Sequence, residues 1–458
     1  MIFRDWPWHH WRQRRGEAFA LRLNDDSLTW QQLCDRVDAL TAGFVAQGVG
    51  EGDGVILRAH NQPAALLAWL ALLQCGARVL PLNPQLPAAM LARLLPSLDV
   101  HHLLALSGED NAALGYSPLA MRADAGERSL AWSEDRLASM TLTSGSTGLP
   151  KAAVHTFRAH LASAQGVLAM IPLAADDDWL LSLPLFHVSG QGILWRWLLA
   201  GSRLTVREKR PLEQALQGCS HASLVPTQLW RLLNGDAQVS LKAVLLGGAA
   251  IPVELTGQAR ERGIRSWCGY GLTEFASTVC AKEADGEADV GQPLSQRELK
   301  IVDGEVWLRG PAWRRATGAT AGWCRWLTSR AGLPRAIAAS CVTVGWRSLG
   351  VWIIFFFSGG EGIQPEEVER VIMAHPQVRQ AFIVPLDDAE FGQRPVAVVE
   401  GDERCDMAAL AAWVENKLAR FQQPVRWLAL PEALKTGGIK ISRRALREWV
   451  NARRDDCA

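Results

Sequence analysis

The sequence predicts an α/β fold, with a large N-terminal domain built on mostly parallel sheets and a small α+β domain after it. Three observations predict this. Short apolar runs alternate with amphipathic helical patterns through the first third of the chain, and the rhythm returns between residues 179 and 248. Strand–helix–strand spacing of this kind implies parallel strands joined by crossover helices. After the glycine-rich string SGGEG (358–362) the order changes to helix, two strands, helix, over about one hundred residues, a common domain size. We divide the chain at 1–355 and 356–458 on that change.

Each element has a local reason. SLTWQQLCDRVDALTAGFVAQGV reads as a helix entered through Ser27 or Thr29 and ended near Gly48 or Gly50. GDGVILRAH is a strand, QPAALLAWLALLQCGA a buried helix with a glycine stop, and ARVLPLN the next strand. WLLSLPLF, SRLTVRE, HASLVPT and LKAVLLGG continue as strands. Beyond residue 362, EEVERVIMAHP is a helix, VRQAFIVPL and RPVAVVEG are strands, and MAALAAWVENKLA is a helix.

The bulk numbers exclude some classes. A net charge of +1 on 458 residues gives no reason to expect nucleic acid or an anionic membrane as partner. The start, MIFRDWPWHHWRQRRGE, has no apolar core behind its charges and does not read as a secretory signal. Nine scattered cysteines, an odd number with no CxxC pair, fit reduced thiols in the cytoplasm better than disulfides or a zinc site. Residues 336–357 carry one charge, Arg347, and are about long enough to span a bilayer. They have another explanation, given below, and no stable membrane insertion is expected. The sequence leaves the oligomeric state open, a homo-oligomer included.

The string TLTSGSTGLPKAAVHT (141–156) carries the most chemistry. A strand runs into a loop of Ser, Thr and Gly with Lys151 behind it. Glycines let backbone N–H groups approach phosphate oxygens, hydroxyls add donors and lysine adds charge. No GK[ST] closes it, so it is not a Walker A loop.

With that string the chain resembles the adenylate-forming superfamily of acyl-CoA synthetases, adenylation domains and luciferases. Four more strings resemble its signatures in the expected order: LPLFHVSG (183–190), LLGGAAIP (245–252), YGLTE (270–274) and KISRRAL (440–446). The resemblance spans almost the whole chain. It implies an ATP site formed by Thr143, Ser144, Gly145, Ser146, Thr147, Gly148 and Lys151, with Gly248, Ala249, Tyr270, Gly271 and Thr273. It implies Glu274 as ligand of a magnesium ion, His187 at the border of the acyl pocket, and Lys440 as the catalytic lysine. Ile439 stands between Gly438 and that lysine, where glycine commonly precedes it directly. The resemblance also implies coenzyme A as acyl acceptor and a small C-terminal lid domain that rotates between two half-reactions. The glycines at 359, 360 and 362 suit a flexible region near the hinge.

The residue chemistry agrees with this. A carboxylate is a poor electrophile, and joining it to AMP supplies a leaving group. Two anions meet in that step, so cations are needed at the centre. The bland alternatives are a core histidine for His187, a helix N-terminal acid for Glu274 and a solvated surface lysine for Lys440.

PLFHVSGQGILWRWL, LVPTQLWRLL, FFSGGEGIQPEEVE and LKTGGIKISR resemble one branch, the o-succinylbenzoate–CoA ligases of menaquinone synthesis. Such a substrate keeps a second carboxylate that is not activated. A buried carboxylate needs a fixed cation, and arginine offers a two-pronged fork. Arg196, between Trp195 and Trp197, is the candidate; the alternative is a surface arginine. Other readings are a CoA ligase for another aromatic or aliphatic acid, or an impaired nucleotide-binding relic.

Residues 311–354 do not match the rest. From Val306 to Gly360 there is no Asp, Glu or Lys, and the segment holds five of the 20 tryptophans. The resemblance calls here for a ribose-binding Asp and a hinge Arg and Asp. Ile337, Val351 and Ile353 stand in those places. Regrouping the codons by one base permits ASLAPGYWRDGRL for 311–323, TRDRG near 337 and GRLDN for 350–354. Asp at 353 is then forced, because the tryptophan codon ends in G and isoleucine codons begin AT. The segment reads as two compensating frameshifts bracketing about 44 codons.

Overall fold

In the computed structural model the description covers residues 3–453, except 25, 109–113, 127–129, 144–150, 209–210, 236–238, 250, 303–304, 311–323, 327–345, 349–350, 354–355, 389, 403–404 and 432–442. The side chains of 143, 151, 300–302, 305–307, 324–326, 346–348, 351–353 and 443–445 are likewise outside it. The phosphate-loop residues 144–150 and Lys440 therefore lie outside the described residues, as does most of the anomalous 311–354 segment.

The N-terminal part begins with α1 (Pro7–Arg15), β1 (Phe19–Arg22), β2 (Ser27–Thr29) and α2 (Trp30–Ala46). Thr29 caps α2 reciprocally with Gln32: each side chain takes up the other's free backbone N–H. Then follow β3 (Gly54–Arg58), α3 (Pro63–Gln74), β4 (Arg78–Leu82), α4 (Ala88–Leu94), β5 (His102–Ala105), β6 (Ser117–Pro118), β7 (Leu137–Thr143) and β8 (Lys151–Thr156). Six of these strands form one sheet in the order β6-β5-β3-β4-β7-β8, parallel except for β8. All of β3 is buried, and α3 is buried from Ala65 to Gln74. A strand and helix apolar on every face belong inside a layered core, as their unbroken apolar runs require.

A second sheet takes β1 and β2 together with the next elements. These are α5 (Phe157–Leu168), β9 (Asp178–Leu180), α6 (Val188–Ala200), β10 (Arg203–Thr205), α7 (Leu212–Ala215), β11 (His221–Leu224) and α8 (Pro226–Asn234). They continue with β12 (Ala243–Leu246), α9 (Val253–Glu261), β13 (Arg265–Leu272), β14 (Ser277–Glu283) and β15 (Gln292–Pro293). Its order is β15-β14-β13-β12-β11-β9-β10-β1-β2, with β13, β12, β11, β9, β10 and β1 parallel.

The arginine- and tryptophan-rich start, read above only as lacking a signal, is helix α1, and its indoles are core. Trp6 stacks on Trp8 at 5.3 Å between centroids, and Trp30 on Trp197 at the same distance. Trp8 donates to Gln74, Trp11 to the Leu198 carbonyl and Trp197 to the Ala20 carbonyl, so these three buried rings keep their N–H groups paired.

The strands β16 (Glu298–Val302), β17 (Glu305–Arg309) and β18 (Cys324–Trp326) make a small antiparallel sheet, and β19 (Trp346–Ser348) pairs with β20 (Val351–Ile353). The C-terminal sheet joins β21 (Phe356–Ser358), β22 (Glu361–Ile363), β23 (Val378–Asp388), β24 (Gly392–Gly401) and β25 (Arg426–Ala429). Helices α10 (Pro365–Met373), α11 (Met407–Glu415) and α12 (Arg443–Asn451) accompany it. Its core, Phe356, Ile363, Val368, Ile372 and Val399 among others, is separate from the N-terminal cores.

Gly359 and Gly360 behave differently from the flexible region expected. They form the two-residue turn between β21 and β22, with φ of 60° and 92°. Left-handed backbone at both positions is the usual demand of such a hairpin. A Cβ on Gly360 would stand 3.0 Å from Val225 and one on Gly359 would stand 3.1 Å from Phe391. The pair is a fixed turn pressed on its neighbours. Among the described residues no helix is long and apolar enough to cross a membrane.

Candidate active site

The predicted site residues converge on one edge of the second sheet. Strands β9, β11, β12 and β13 are parallel, so their carboxyl ends open on one side, where α/β sheets bind ligands. Gly248 and Ala249 follow β12, with Gly248 left-handed at φ 80°. Tyr270 and Gly271 end β13, and Thr273 and Glu274 lie in the one-turn helix Thr273–Phe275 beyond it. His187 follows β9 as the N-cap of α6.

The first sheet brings the phosphate-loop ends to the same place. Thr143 at the end of β7 pairs in register with Lys151 at the start of β8, so residues 144–150 close a hairpin between them. Both strands pack against the Thr273–Phe275 turn. Five strings far apart in sequence thus contribute four of their number to one region, while Lys440 is outside the described residues.

The charges there are unusual. Glu274 is half-buried, and burial raises its carboxyl above the ordinary range. No cationic side chain of the described residues pairs with it, and no group of three metal-ligating side chains exists among those residues. A cation held here would take Glu274 together with oxygens of a bound phosphate and water, the usual manner of magnesium. Burial also raises the Tyr270 phenol.

Arg196 is not a surface arginine: it is 2% exposed, in the middle of a helix buried from Gly190 to Leu198. Its Nη2 donates to Ser223 Oγ at 2.9 Å, its guanidinium lies 4.6 Å from the Trp179 ring centre, and its Nε has no partner among the described residues. Burial pulls it down to about 9. A buried cation with no carboxylate beside it is costly unless an anion completes it.

His187 is not a packed core histidine either. Its Nε2 stands 2.9 Å from Glu361 Oε2, on the hairpin of the C-terminal sheet. Glu361 sits in a string quoted above, yet the sequence assigned it no role; a partner 174 positions away leaves no local signal. We expect Glu361→Gln to slow acyl transfer by about three- to tenfold while leaving acid activation nearly unchanged, the weight of one half-exposed charged hydrogen bond. Stopped-flow and pyrophosphate exchange measure the two steps separately, and equal loss in both would contradict the assignment.

A groove of about 460 Å³ opens elsewhere, lined by Gln85, Pro87, Glu415 and Arg420, with none of the motif residues on its walls.

A parallel-edge nucleotide crevice, a hydroxyl- and glycine-rich hairpin and a mobile-lid candidate define an adenylate-forming type of site. The chain belongs to the AMP-binding enzyme family, which matches residues 8–315, and the C-terminal domain of the same enzymes matches 367–440. The 2-succinylbenzoate–CoA ligases of Salmonella typhimurium and Escherichia coli K12 are each 63% identical to it, over 98% of this chain and 99% of theirs. A structure of an E. coli MenE variant with bound OSB-AMS is 60% identical, covers 99% of this chain and all of that one, and superposes with a TM-score of 0.71. A Bacillus subtilis MenE double mutant, 23% identical, shares the fold with a TM-score of 0.82.

Proposed function

We propose that this chain ligates 2-succinylbenzoate (o-succinylbenzoate) to coenzyme A in menaquinone synthesis, with ATP cleaved to AMP and pyrophosphate. The observation that carries the choice of acid is Arg196, a buried guanidinium without an anionic partner near the acyl-pocket histidine. The relatives at 63% identity are ligases of the same acid.

The reaction runs in two steps. Arg196 and Ser223 hold the aromatic carboxylate by charge and hydrogen bond, leaving the succinyl carboxylate free. The 144–150 hairpin, with Lys151 at its end, holds the phosphates of ATP, and Tyr270 with the Gly248–Ala249 turn flanks the adenine. A succinyl oxygen bonds to the α-phosphorus, the bond to pyrophosphate breaks, and Lys440 neutralises the charge shared by the two anions. Magnesium, when bound, supplies further positive charge to phosphate oxygens, and Glu274 is the side chain that would hold it. In the second step His187 and Glu361 border the acyl carbon. The CoA thiolate bonds to that carbon, and AMP leaves with the oxygen that came from the acid.

We take 1–355 as the nucleotide- and acyl-binding part and 356–458 as the lid that carries Lys440. A cytoplasmic enzyme fits the six described cysteines, all free thiols. We retain the frameshift reading of 311–354. Sequencing the DNA for residues 305–360 on both strands decides it: GYW, TRD and GRLDN in the corrected read support it. Confirmation of the written string with full ligase activity contradicts it.

A panel of acids tests the function. AMP release with ATP and CoA should be fastest for 2-succinylbenzoate, and an equal or faster monocarboxylic acid would move the enzyme to another substrate.

A further inference from the structure

Three non-glycine residues among those described have left-handed backbone: Ala276 (φ 54°), Ser277 (φ 108°) and Gln296 (φ 64°). Residues with a Cβ adopt this region at a cost and keep it only where their surroundings hold it. All three flank one hydrogen bond. Arg297, next to Gln296, donates from Nη1 to the carbonyl of Phe275, next to Ala276, at 3.0 Å. Its guanidinium also lies 5.9 Å from the Phe275 ring centre.

Arg297 is 7% exposed, no carboxylate pairs with it among the described residues, and its Nη2 has no partner among them. Burial pulls it down to about 10. His155, 2% exposed, packs behind the same turn; burial holds it neutral, at about 4, although the backbone of Glu274 and Thr273 draws it up. Two polar side chains are thus spent behind one turn. An apolar filler would stabilise a core at least as well as a lone buried cation, so packing alone does not account for the arginine.

What that turn carries does account for it. Glu274 precedes Phe275. Ser277 follows, with its side chain against α6: a Cβ on Gly192 would come 3.1 Å from Ser277 Oγ and 3.3 Å from Arg196 Nη1. One strained turn therefore sets both the carboxylate of the nucleotide site and the hydroxyl beside the acid-binding arginine. We propose that Arg297 is a positioning residue for acid activation, holding the left-handed Ala276–Ser277 backbone and so the presentation of Glu274 and Ser277. This rests on the roles given to Glu274 and Arg196 above.

The test follows pyrophosphate exchange against magnesium concentration in Arg297→Met, beside thioester formation from supplied acyl-adenylate. The magnesium concentration for half-maximal exchange should rise about tenfold, as expected for releasing one strained contact, with the second half-reaction nearly unchanged. Adding Ala276→Gly should recover most of the loss, because glycine enters the left-handed region freely. Should Arg297→Met give no soluble protein, Arg297→Lys carries the same test with one donor kept. Unshifted magnesium dependence, equal loss in both half-reactions, or no recovery with Ala276→Gly overturns the proposal. Glu274→Gln runs alongside. If it too leaves magnesium dependence unshifted, the assignment of Glu274 falls; if it shifts while Arg297→Met does not, only the role of Arg297 falls.

Discussion

Arg196→Met should reduce kcat/KM for 2-succinylbenzoate by the worth of a fully buried charge pair, about 2–5 kcal/mol, or roughly 30- to several-thousand-fold. The methionine nearly conserves length and apolar surface, so Trp179, Trp195 and Trp197 keep their packing. The substrate carboxylate is what loses its partner. The effect must be specific to that carboxylate. A 4-oxo-4-phenylbutanoate, which has the succinyl arm and the ring but no ring carboxylate, should be a poor substrate of the native enzyme. It should be nearly indifferent to the substitution, or favoured by it, because the empty site no longer holds an unpaired cation. The four values make a double-mutant cycle whose coupling term is the charge pair. Arg196→Lys should fall between, since an ammonium keeps the charge and loses the fork. Equal loss for both acids would place Arg196 among packing residues.

Lys440→Ala should lower pyrophosphate exchange by about a hundred- to a thousandfold, the usual consequence of removing one charge from a developing anionic centre. Thioester formation from supplied acyl-adenylate should change little, because that step no longer joins two anions. The contrast with Glu361→Gln is the point of the pair. One substitution cuts the first half-reaction and the other the second, although both residues lie beyond residue 355 in the proposed lid. A lysine variant that slowed both steps alike would deny the division of labour.

The alternation of strands and helices was legible because each element's reason is local. Thr29 and Gln32 announce the start of α2 three residues apart, and the unbroken apolar run of α3 announces a helix with no solvent face. The strings bearing Gly248, Tyr270, Glu274 and His187 were legible as motifs, and parallel strand order then forces them onto one edge. What stayed hidden depends on distance in sequence. Arg196 sits in a helix buried all round, so no periodicity tells its side from the others, and its partner Ser223 lies on another strand. Glu361 meets His187 only once the two domains are in place. The Gly359–Gly360 pair read as freedom because glycine permits both a loose linker and a fixed left-handed turn; only Val225 and Phe391 pressing on it distinguish them. The tryptophans of α1 were hidden by the arginines between them, since a helix that is basic on one face and indole on the other has no clean apolar stripe.

The central claim is an acyl-adenylate formed from the succinyl carboxylate, and the most direct measurement is isotopic. The protein is incubated with ATP, CoA and 2-succinylbenzoate carrying ¹⁸O in that carboxylate, and the AMP is weighed by mass spectrometry. The account predicts AMP with one ¹⁸O per CoA thioester formed, since the acid's own oxygen leaves with the nucleotide. Unlabelled AMP, or ADP beside labelled phosphate, would contradict it.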